Sequence, residues 1–432
     1  MQSNGFRTLK ISGWRQFEFV EIDLHPRLTI ITGANGAGKS TILSFLNRHF
    51  GYQKPYLATP HRKKGMNTFF YGLFQSIRSR TPTISEQSTE IGQITYSSGV
   101  TSKIRLPRNT SLHYLVEVDQ QQPVYGIHID SHRPPNIYRQ VNDFPALPPS
   151  IDGIGNNLNA EYINYYCSGN VQYGSLHHIK AMLIQMNIFG YGNRTMEPIP
   201  ELITLLDGFE EKLKVLLPKS LGFQKLKIRS PEVLLSTDSG DFILDSASGG
   251  IIKLFEVAWQ IYFYSQGKSD FVITFDEPEN HLHPSMQKSF LPNIMEAFPN
   301  AQIIAVTHSP FIISAMQDSS VYVLRYKQAF FLGNDSDSGD DETILGLMGS
   351  KVYAQKLDTV NKAGTASEIL RDVLGLTSTI PDWAETRVMA IVQKYKKNEI
   401  NDATFKELYS DLEKEGLVSS YPVALSDLTR SI

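Results

Sequence analysis

The reading of this chain turns on Leu28-Thr-Ile-Ile-Thr-Gly33-Ala-Asn35-Gly36-Ala-Gly38-Lys39-Ser40-Thr41-Ile-Leu-Ser-Phe-Leu-Asn-Arg48. Leu28–Thr32 is a short, nearly continuous β-branched run, the pattern of a strand covered on both faces. The glycine loop after it matches G-x-x-x-x-G-K-S, and the residues from Ser40 onward read as a helix. Strand, loop and helix in that order are the context a phosphate-binding loop requires. Glycines at 33, 36 and 38, with Asn35 between them, let backbone N–H groups curl around phosphates, and the helix N-terminus adds its partial positive charge. Lys39 is expected to reach the β- and γ-phosphates of ATP, Ser40 to ligate Mg²⁺ through its hydroxyl, and Thr41 to contact the α-phosphate. The bland alternative, a glycine-rich turn without a ligand, does not account for the flanking strand and helix.

Two further segments carry chemistry. Phe271-Val-Ile-Thr-Phe-Asp276-Glu277-Pro278 is an apolar strand ending in two carboxylates. Asp276 stands where an acid would hold Mg²⁺ through water, since Mg²⁺ keeps much of its hydration shell. Glu277 is placed to accept a proton from an attacking water. A plain acidic surface turn would not need the apolar run before it. Ile303–Val306 reads as a second buried strand, followed by Thr307-His308-Ser309-Pro310, and His308 can sense a γ-phosphate by hydrogen bonding. A lone histidine at a strand end is more often polar surface; its place one strand after the acidic pair favours the functional reading. Ala247-Ser248-Gly249-Gly250-Ile251 is weaker alone, because Ser-Gly-Gly opens many helices as a plain cap.

The remainder sets the frame. With 432 residues, 41% hydrophobic and 20% charged, the chain is an ordinary globular composition able to bury its own core. Its single cysteine, Cys167, excludes an internal disulfide and a multi-cysteine zinc site. No apolar run reaches the ~18–20 residues that span a bilayer, and the N-terminus lacks the apolar core of a signal peptide, so a cytoplasmic protein with no membrane association is expected. A net charge of −3 argues against a uniformly basic nucleic-acid binder while leaving local nucleic-acid contacts open. Alternating runs over 6–12, 17–24, 91–96, 102–106, 112–118 and 124–130 read as strands. Residues 131–158 read as a long ordered loop, with helices over 159–166, 174–189, 198–216, 251–265 and 284–298. Ser319–Arg325 and Gln328–Leu332 read as an edge hairpin, and residues 350–415 as helical.

These four segments, with Leu282-His283 after the acidic strand as a fifth, in this order resemble an ABC-type ATPase of the SMC/RecF/OLD-like branch. The pattern lies in residues 6–50 and 244–312, about a quarter of the chain. The resemblance implies an α/β fold: an ABC-type P-loop ATPase head with an antiparallel β lobe, an inserted helical lobe and a C-terminal helical appendage. The expected divisions are 1–60 and 241–332 for the two halves of the head, 61–240 for the inserted lobe, and 333–432 for an acidic loop and helical region. It also implies that Ser248, Gly249 and Gly250, about 20 residues before the acidic strand, serve the phosphates held by a second subunit. Two heads would then close on two ATP molecules, as a dimer or a larger homo-oligomer. Three departures stand out. Ala247 and Ile251 replace the leucine and glutamine of the usual signature. His283, in Asn280–His283, stands where an aspartate is common. The lever-loop glutamine has no clear counterpart, Gln75 and Gln93 being candidates.

Ile127-His-Ile-Asp-Ser-His-Arg133-Pro-Pro, and Ala366–Leu376 followed by paired helices, look similar to Septu-type and retron-associated anti-phage ATPases. That likeness implies an enzyme converting ATP and water to ADP and phosphate, which regulates a separately encoded nuclease of HNH type. The alternatives are a RecF-like repair ATPase acting directly on DNA, and a transporter subunit. The second fits poorly with the ~190 residues separating the head halves. The remaining clusters have plain readings. His61-Arg-Lys-Lys64 with Arg78 and Arg80 reads as a solvated basic face, and Asp335, Asp337, Asp340 and Asp341 as an acidic loop rather than a metal centre. Tyr162-Ile-Asn-Tyr-Tyr-Cys167 reads as helix packing.

Overall fold

The computed structural model describes residues 4–62, 69–72, 89–107, 112–133, 136–169, 174–327, 351–357, 366–373, 382–395, 402–421, 424–425 and 428. In chain order its strands are β1 (Phe6–Trp14), β2 (Phe17–Asp23), β3 (Leu28–Gly33), β4 (Tyr56–Leu57), β5 (Thr59–Arg62), β6 (Phe69–Gly72), β7 (Thr89–Tyr96), β8 (Thr101–Leu106), β9 (His113–Tyr114), β10 (Glu117–Val118), β11 (Gly126–Ile129), β12 (Phe223–Arg229), β13 (Glu232–Thr237), β14 (Gly240–Ile243), β15 (Phe271–Asp276), β16 (Ala301–Val306), β17 (Ser320–Lys327) and β18 (Lys351–Lys356). Helices α1 (Lys39–Asn47), α2 (Ile151–Ser168), α3 (Ser175–Tyr191), α4 (Pro200–Leu216), α5 (Gly249–Ser265), α6 (Pro284–Ala297) and α7 (Pro310–Ile313) lie between them.

One sheet of 11 strands organises the first unit, Met1–Ala363, in the order β10-β8-β7-β1-β2-β18-β17-β3-β16-β15-β11. Its two halves differ in kind. From β17 to β11 every pair is parallel, and β3 and β16 are buried along their whole length. That burial is why they read as unbroken apolar and β-branched runs: helices cover both faces of a parallel sheet. The other wing, β2, β1, β7, β8 and β10, is antiparallel, and β1 alternates buried and exposed residues as a one-sided sheet should.

Two sequence expectations change. Residues 351–356 are not helical. They form β18, which pairs antiparallel with β17 and parallel with β2 and so joins the two wings. The partner expected for β17, residues 328–332, lies outside the described residues, as do Gln75, Arg78, Arg80 and the acidic run 334–342. Helix α2 begins at Ile151 rather than near 159, capped by Ser150, whose Oγ accepts from the Gly153 N–H at 3.1 Å.

The helices α2, α3 and α4 pack on α5, which is buried on nearly every side. Phe209 of α4 meets Phe255 and Trp259 of α5 edge to face at 5.4 and 5.2 Å between centroids. The second unit, Gly364–Ile432, has its own small core. There Val388 and Val392 of helix Asp382–Tyr395 are buried with Leu408 and Leu412 of helix Asp402–Lys414.

Phe209 is fully buried, so Phe209→Ala is expected to destabilise the first unit by about 3–5 kcal/mol through lost burial and the cavity left behind. Denaturant unfolding followed by intrinsic fluorescence measures it. A loss below about 1 kcal/mol would contradict the packing described.

Candidate functional site

The carboxyl ends of β3, β16, β15 and β11 lie side by side. Register places Val306 opposite Ile31, Asp276 opposite Val306, and Phe275 opposite Ile129. One residue further along each strand stand Thr307, Glu277 and Asp130. In open parallel sheets this edge is where ligands bind. The Thr32 hydroxyl donates to the Thr307 carbonyl at 2.8 Å inside the sheet and fixes the two central turns against each other.

The glycine loop leaves β3 with Gly33 at φ 140°, and a Cβ there would sit 2.4 Å from the Leu324 carbonyl oxygen. Gly38, at φ 94°, directly precedes α1, and a Cβ on it would lie 2.4 Å from Phe17. Both positions therefore require glycine on conformational and steric grounds. Lys39 is only 6% exposed, and its Nζ donates to the Gly33 and Ala34 carbonyls at 3.0 Å each. Burial lowers its pKa, and Glu277, Asp276 and Glu279 pull the other way. Ser40 lies beside the Asp276 carboxylate and favours its charged form. Gly36, Asn35 and Thr41 lie on the same loop and first helical turn, with Asn35 exposed and its carbonyl accepting from the Tyr326 hydroxyl at 3.4 Å.

The acidic pair occupies two different environments. Asp276 has one carboxylate oxygen, Oδ1, buried without a hydrogen-bond partner. An orphaned carboxylate oxygen beside a serine hydroxyl, with Asp130 level on the next strand, is a set of hard oxygen donors that fits Mg²⁺. Among the described residues no group of three or more His, Cys, Asp or Glu side chains forms an all-protein cage. Glu277 adopts φ 48°, uncommon for a residue with a side chain. Its N–H donates to the Val306 carbonyl at 2.9 Å, and its Oε2 accepts from Asn280 Nδ2 at 3.1 Å. Its Oε1 lies 4.0 Å from His308 Nε2. Burial and Lys39 lower the His308 pKa, Glu277 opposing them, which keeps the ring neutral at pH 7.

Two residues not singled out as site candidates in the sequence belong here. Glu279 Oε1 accepts from the backbone N–H groups of His308 and Ser309 at 2.7 and 3.1 Å, tying the turn after β15 to the turn after β16. A second acid just past the Asp276-Glu277 pair was its only sequence signal. Asp130 is positioned by strand register alone. Of the two lever-loop candidates, Gln75 lies outside the described residues. Gln93 instead lies within β7, between Lys10 of β1 and Lys103 of β8.

Ser248 is the N-cap residue of α5, yet its side chain makes no capping hydrogen bond, and it is exposed together with Gly249. The plain-cap reading needs that bond and lacks it. His283 does act as a cap: its Nδ1 accepts from the Ser285 N–H at 3.3 Å and opens α6. That local duty is one an aspartate would fill as well, so capping does not explain the histidine. Of the basic cluster, His61 and Arg62 lie in β5, and Lys63 and Lys64 fall outside the described residues. Tyr162 is buried against Arg133, as packing was expected to require.

Burial pushes the Asp276 carboxyl up to about 6; the Ser40 hydroxyl opposes the shift, and Asp130 and Glu277 add to it. A carboxyl whose folded pKa exceeds its unfolded value makes the native state less stable once it ionises. The penalty is present above pH 6 and vanishes as the pH falls toward 4. Without nucleotide or divalent cation, Asp276→Asn is therefore expected to raise stability at pH 7.5 by about 1–3 kcal/mol, the gain shrinking below pH 6. Thermal melts across pH 4–8 test this, and an Asn variant that melts lower than wild type at pH 7.5 would contradict it.

Two family models match the chain: an AAA domain over residues 8–122, and the AAA domain described as putative AbiEii toxin, Type IV TA system, over residues 198–314. The Septu protein PtuA of Bacillus thuringiensis is 22% identical over 395 residues, 86% of this chain and 85% of that protein. The Retron Ec83 probable ATPase of Escherichia coli is 34% identical over 59 residues, 14% of this chain and 11% of that protein. Among solved structures, the Smc head domain derived from Pyrococcus furiosus, bound to the C-terminal domain of ScpA, aligns with a TM-score of 0.43 at 14% identity, over 85% of this chain and 99% of that one. Among the described residues no helix is long and apolar enough to cross a membrane. With its glycine loop, acidic strand and His308-bearing strand on one parallel sheet edge, the chain matches AAA-domain models in two segments and is similar to the Septu protein PtuA and to a retron probable ATPase.

Proposed function

We propose that the chain binds ATP with Mg²⁺, closes as a head-to-head dimer around two nucleotides, and hydrolyses them to open again. The observation that carries this reading is the asymmetry between its two half-sites. One sheet edge gathers a cation, metal-type oxygen donors and a carboxylate next to a neutral imidazole. Ser248 and Gly249, by contrast, stand exposed at a helix N-terminus, with the serine hydroxyl not engaged in capping. A helix N-terminus with free N–H groups favours an anion, and the anion it would face is the terminal phosphate held by the partner.

In this reading the N–H groups from Gly33 to Gly38 cradle the phosphates. Lys39 leaves its two carbonyl partners to reach the β- and γ-oxygens, and Thr41 lies beside the α-phosphate. Ser40 and Asp276 would hold Mg²⁺, with Asp130 completing the acidic side; the ion would offset charge on the phosphoryl oxygens. Glu277 accepts the proton of the attacking water. His308, neutral, donates to or accepts from the γ-phosphate side and registers its loss. Glu279 holds the His308 turn in place for that contact. Nucleotide shifts the open-to-closed population only by its differential affinity for the two states.

The product of such a switch is a change in geometry, so the output falls to another protein. With Septu and retron relatives and no nuclease motif of its own in the sequence, the chain is read as the regulator of a separately encoded nuclease, of HNH type, in anti-phage defence. Affinity capture from the native host tests this assignment: a stoichiometric nuclease supports it, whereas salt-sensitive DNA binding by the pure protein with DNA-stimulated hydrolysis favours direct action on DNA.

Two variants test the nucleotide cycle. Glu277→Gln with ATP and Mg²⁺ is expected to elute as a dimer or larger assembly in gel filtration, and persistence as a monomer would contradict closure. Gly249→Ala is the sharper probe, since a Cβ there meets nothing within 4 Å in the protomer. Its melting temperature should match wild type, while assembly of the Glu277→Gln protein weakens about tenfold or more, roughly 1.4 kcal/mol. Unchanged assembly would remove the signature role.

A further inference from the structure

The turn that carries Asp130 does not end at the sheet. Three residues on, Arg133 runs into the buried face of α5, the helix that begins at Ser248. Its Nη2 donates to Gln260 Oε1 at 2.8 Å, and its Nη1 lies 3.6 Å from Glu256 Oε2. Both charged side chains are almost wholly buried, at 8% and 3% exposure. Glu256 and Gln260 are four apart, on one face of α5. Arg133 Nη1 also donates to the Tyr162 hydroxyl at 3.3 Å, while its Nε is buried without a hydrogen-bond partner. Asn136 Nδ2 donates to Glu256 Oε1 at 2.8 Å, Ser175 of α3 donates to the same oxygen, and Gln260 Nε2 returns to the His128 carbonyl of β11 at 3.3 Å. Tyr162 of α2 stacks under the guanidinium at 5.0 Å.

Such a cluster is not needed for packing. A buried ion pair contributes little net stability, and an apolar replacement of equal volume is often neutral or better. What it supplies is direction: a planar guanidinium hydrogen-bonded to Gln260 of α5, ion-paired with Glu256 one turn earlier and donating to the Tyr162 hydroxyl of α2 constrains the rotation and axial position of α5 as aliphatic contacts do not. The face of α5 concerned also meets the site electrostatically. Lys253, three residues before Glu256 and 5% exposed, is pushed down to about 7 by burial and by Arg133, while Glu256, Asp130 and Glu279 oppose the shift.

The geometry points to Arg133 as a positioning residue, one that links the Asp130 turn at the metal-type carboxylates to helix α5 and so sets the pose in which Ser248–Gly250 is presented to a partner subunit. This rests on the reading of Ser248–Gly250 as the partner-facing signature. Arg133 and Glu256 themselves touch none of Lys39, Ser40, Asp276 or the Asp130 carboxylate in the contacts described, so removing their pair is expected to change nucleotide affinity in a single protomer little. Assembly is what it controls.

The test compares full-length protein in the Glu277→Gln background with the same protein carrying Arg133→Met and Glu256→Gln together. The pair of changes removes both charges at once. The amide that replaces the Glu256 carboxylate can still accept from Ser175 or Asn136, so no uncompensated buried charge remains. Arg133→Lys is the second variant, keeping charge without the fork. A fluorescent ATP analogue with Mg²⁺ reads nucleotide affinity in dilute monomer, sedimentation velocity reads ATP-driven assembly, and a thermal melt reads folding. The expected result is nucleotide affinity within about twofold of the parent and assembly weakened about tenfold or more, with Arg133→Lys between the two. Unchanged assembly in the folded double variant overturns the proposal. So does a parallel fall of affinity, assembly and melting temperature, the mark of a merely structural pair. Should the Glu277→Gln parent itself fail to assemble, the dimer reading falls first and this inference with it.

Discussion

Everything at the candidate site depends on the register of four parallel strands that end together. The side chains at the ends of β16, β15 and β11 stand level with one another only because the ladder holds Ile31, Val306 and Asp276 in step and pairs Phe275 with Ile129. A slip of one residue would also turn every buried side chain in the strand to the opposite face. In strands buried as completely as β3 and β16 that is prohibitive. The burial that drives folding is therefore what fixes the placement of the chemistry.

The second consequence of that edge is crowded charge with few partners. Lys39, Asp276, Glu277, Glu279 and Asp130 converge in a place that is partly dry. Lys39 rests on two carbonyls, and one oxygen of Asp276 has nothing. Like charges held close in low dielectric are unfavourable unless a counter-ion joins them. The left-handed backbone at Glu277 has a related origin: strain persists where the surroundings over-determine it, and here the Val306 carbonyl and Asn280 hold it. The molecule thus keeps these charged groups close together at some expense of stability, a common feature of functional sites.

Much of this was legible in the sequence, and the reasons are local. The β3–α1 unit announces itself because a glycine pattern, a buried strand and a helix are contiguous. The strands β15 and β16 read as unbroken apolar runs for the same reason that they are buried. What stayed hidden depends on distant partners. Strand β18 has one fully buried residue, Val352, and lies past an acidic run, so no alternation betrays it. The first turns of α2, rich in glycine and asparagine, resemble a loop. There Gly155 packs so close to α5 that a Cβ would lie 2.8 Å from the Phe263 carbonyl oxygen, and glycine is chosen for approach rather than flexibility. Asp130 and the Arg133–Glu256 pair emerge only from register and packing, and no spacing rule connects residues more than 100 positions apart.

The central claim is that each active centre is divided between two protomers, and subunit mixing addresses it most directly. One preparation carries Lys39→Ala, losing the phosphate loop but keeping the signature; the other carries Ser248→Arg, the reverse. Each alone should be inactive as an ATPase. Mixed in equal amounts, half of the dimers would hold one intact composite centre of two, and activity should return to about a quarter of wild type for a two-fold symmetric pair. A mixture as inactive as its components, or a Ser248→Arg protein that hydrolyses ATP at the wild-type rate alone, would contradict the divided centre.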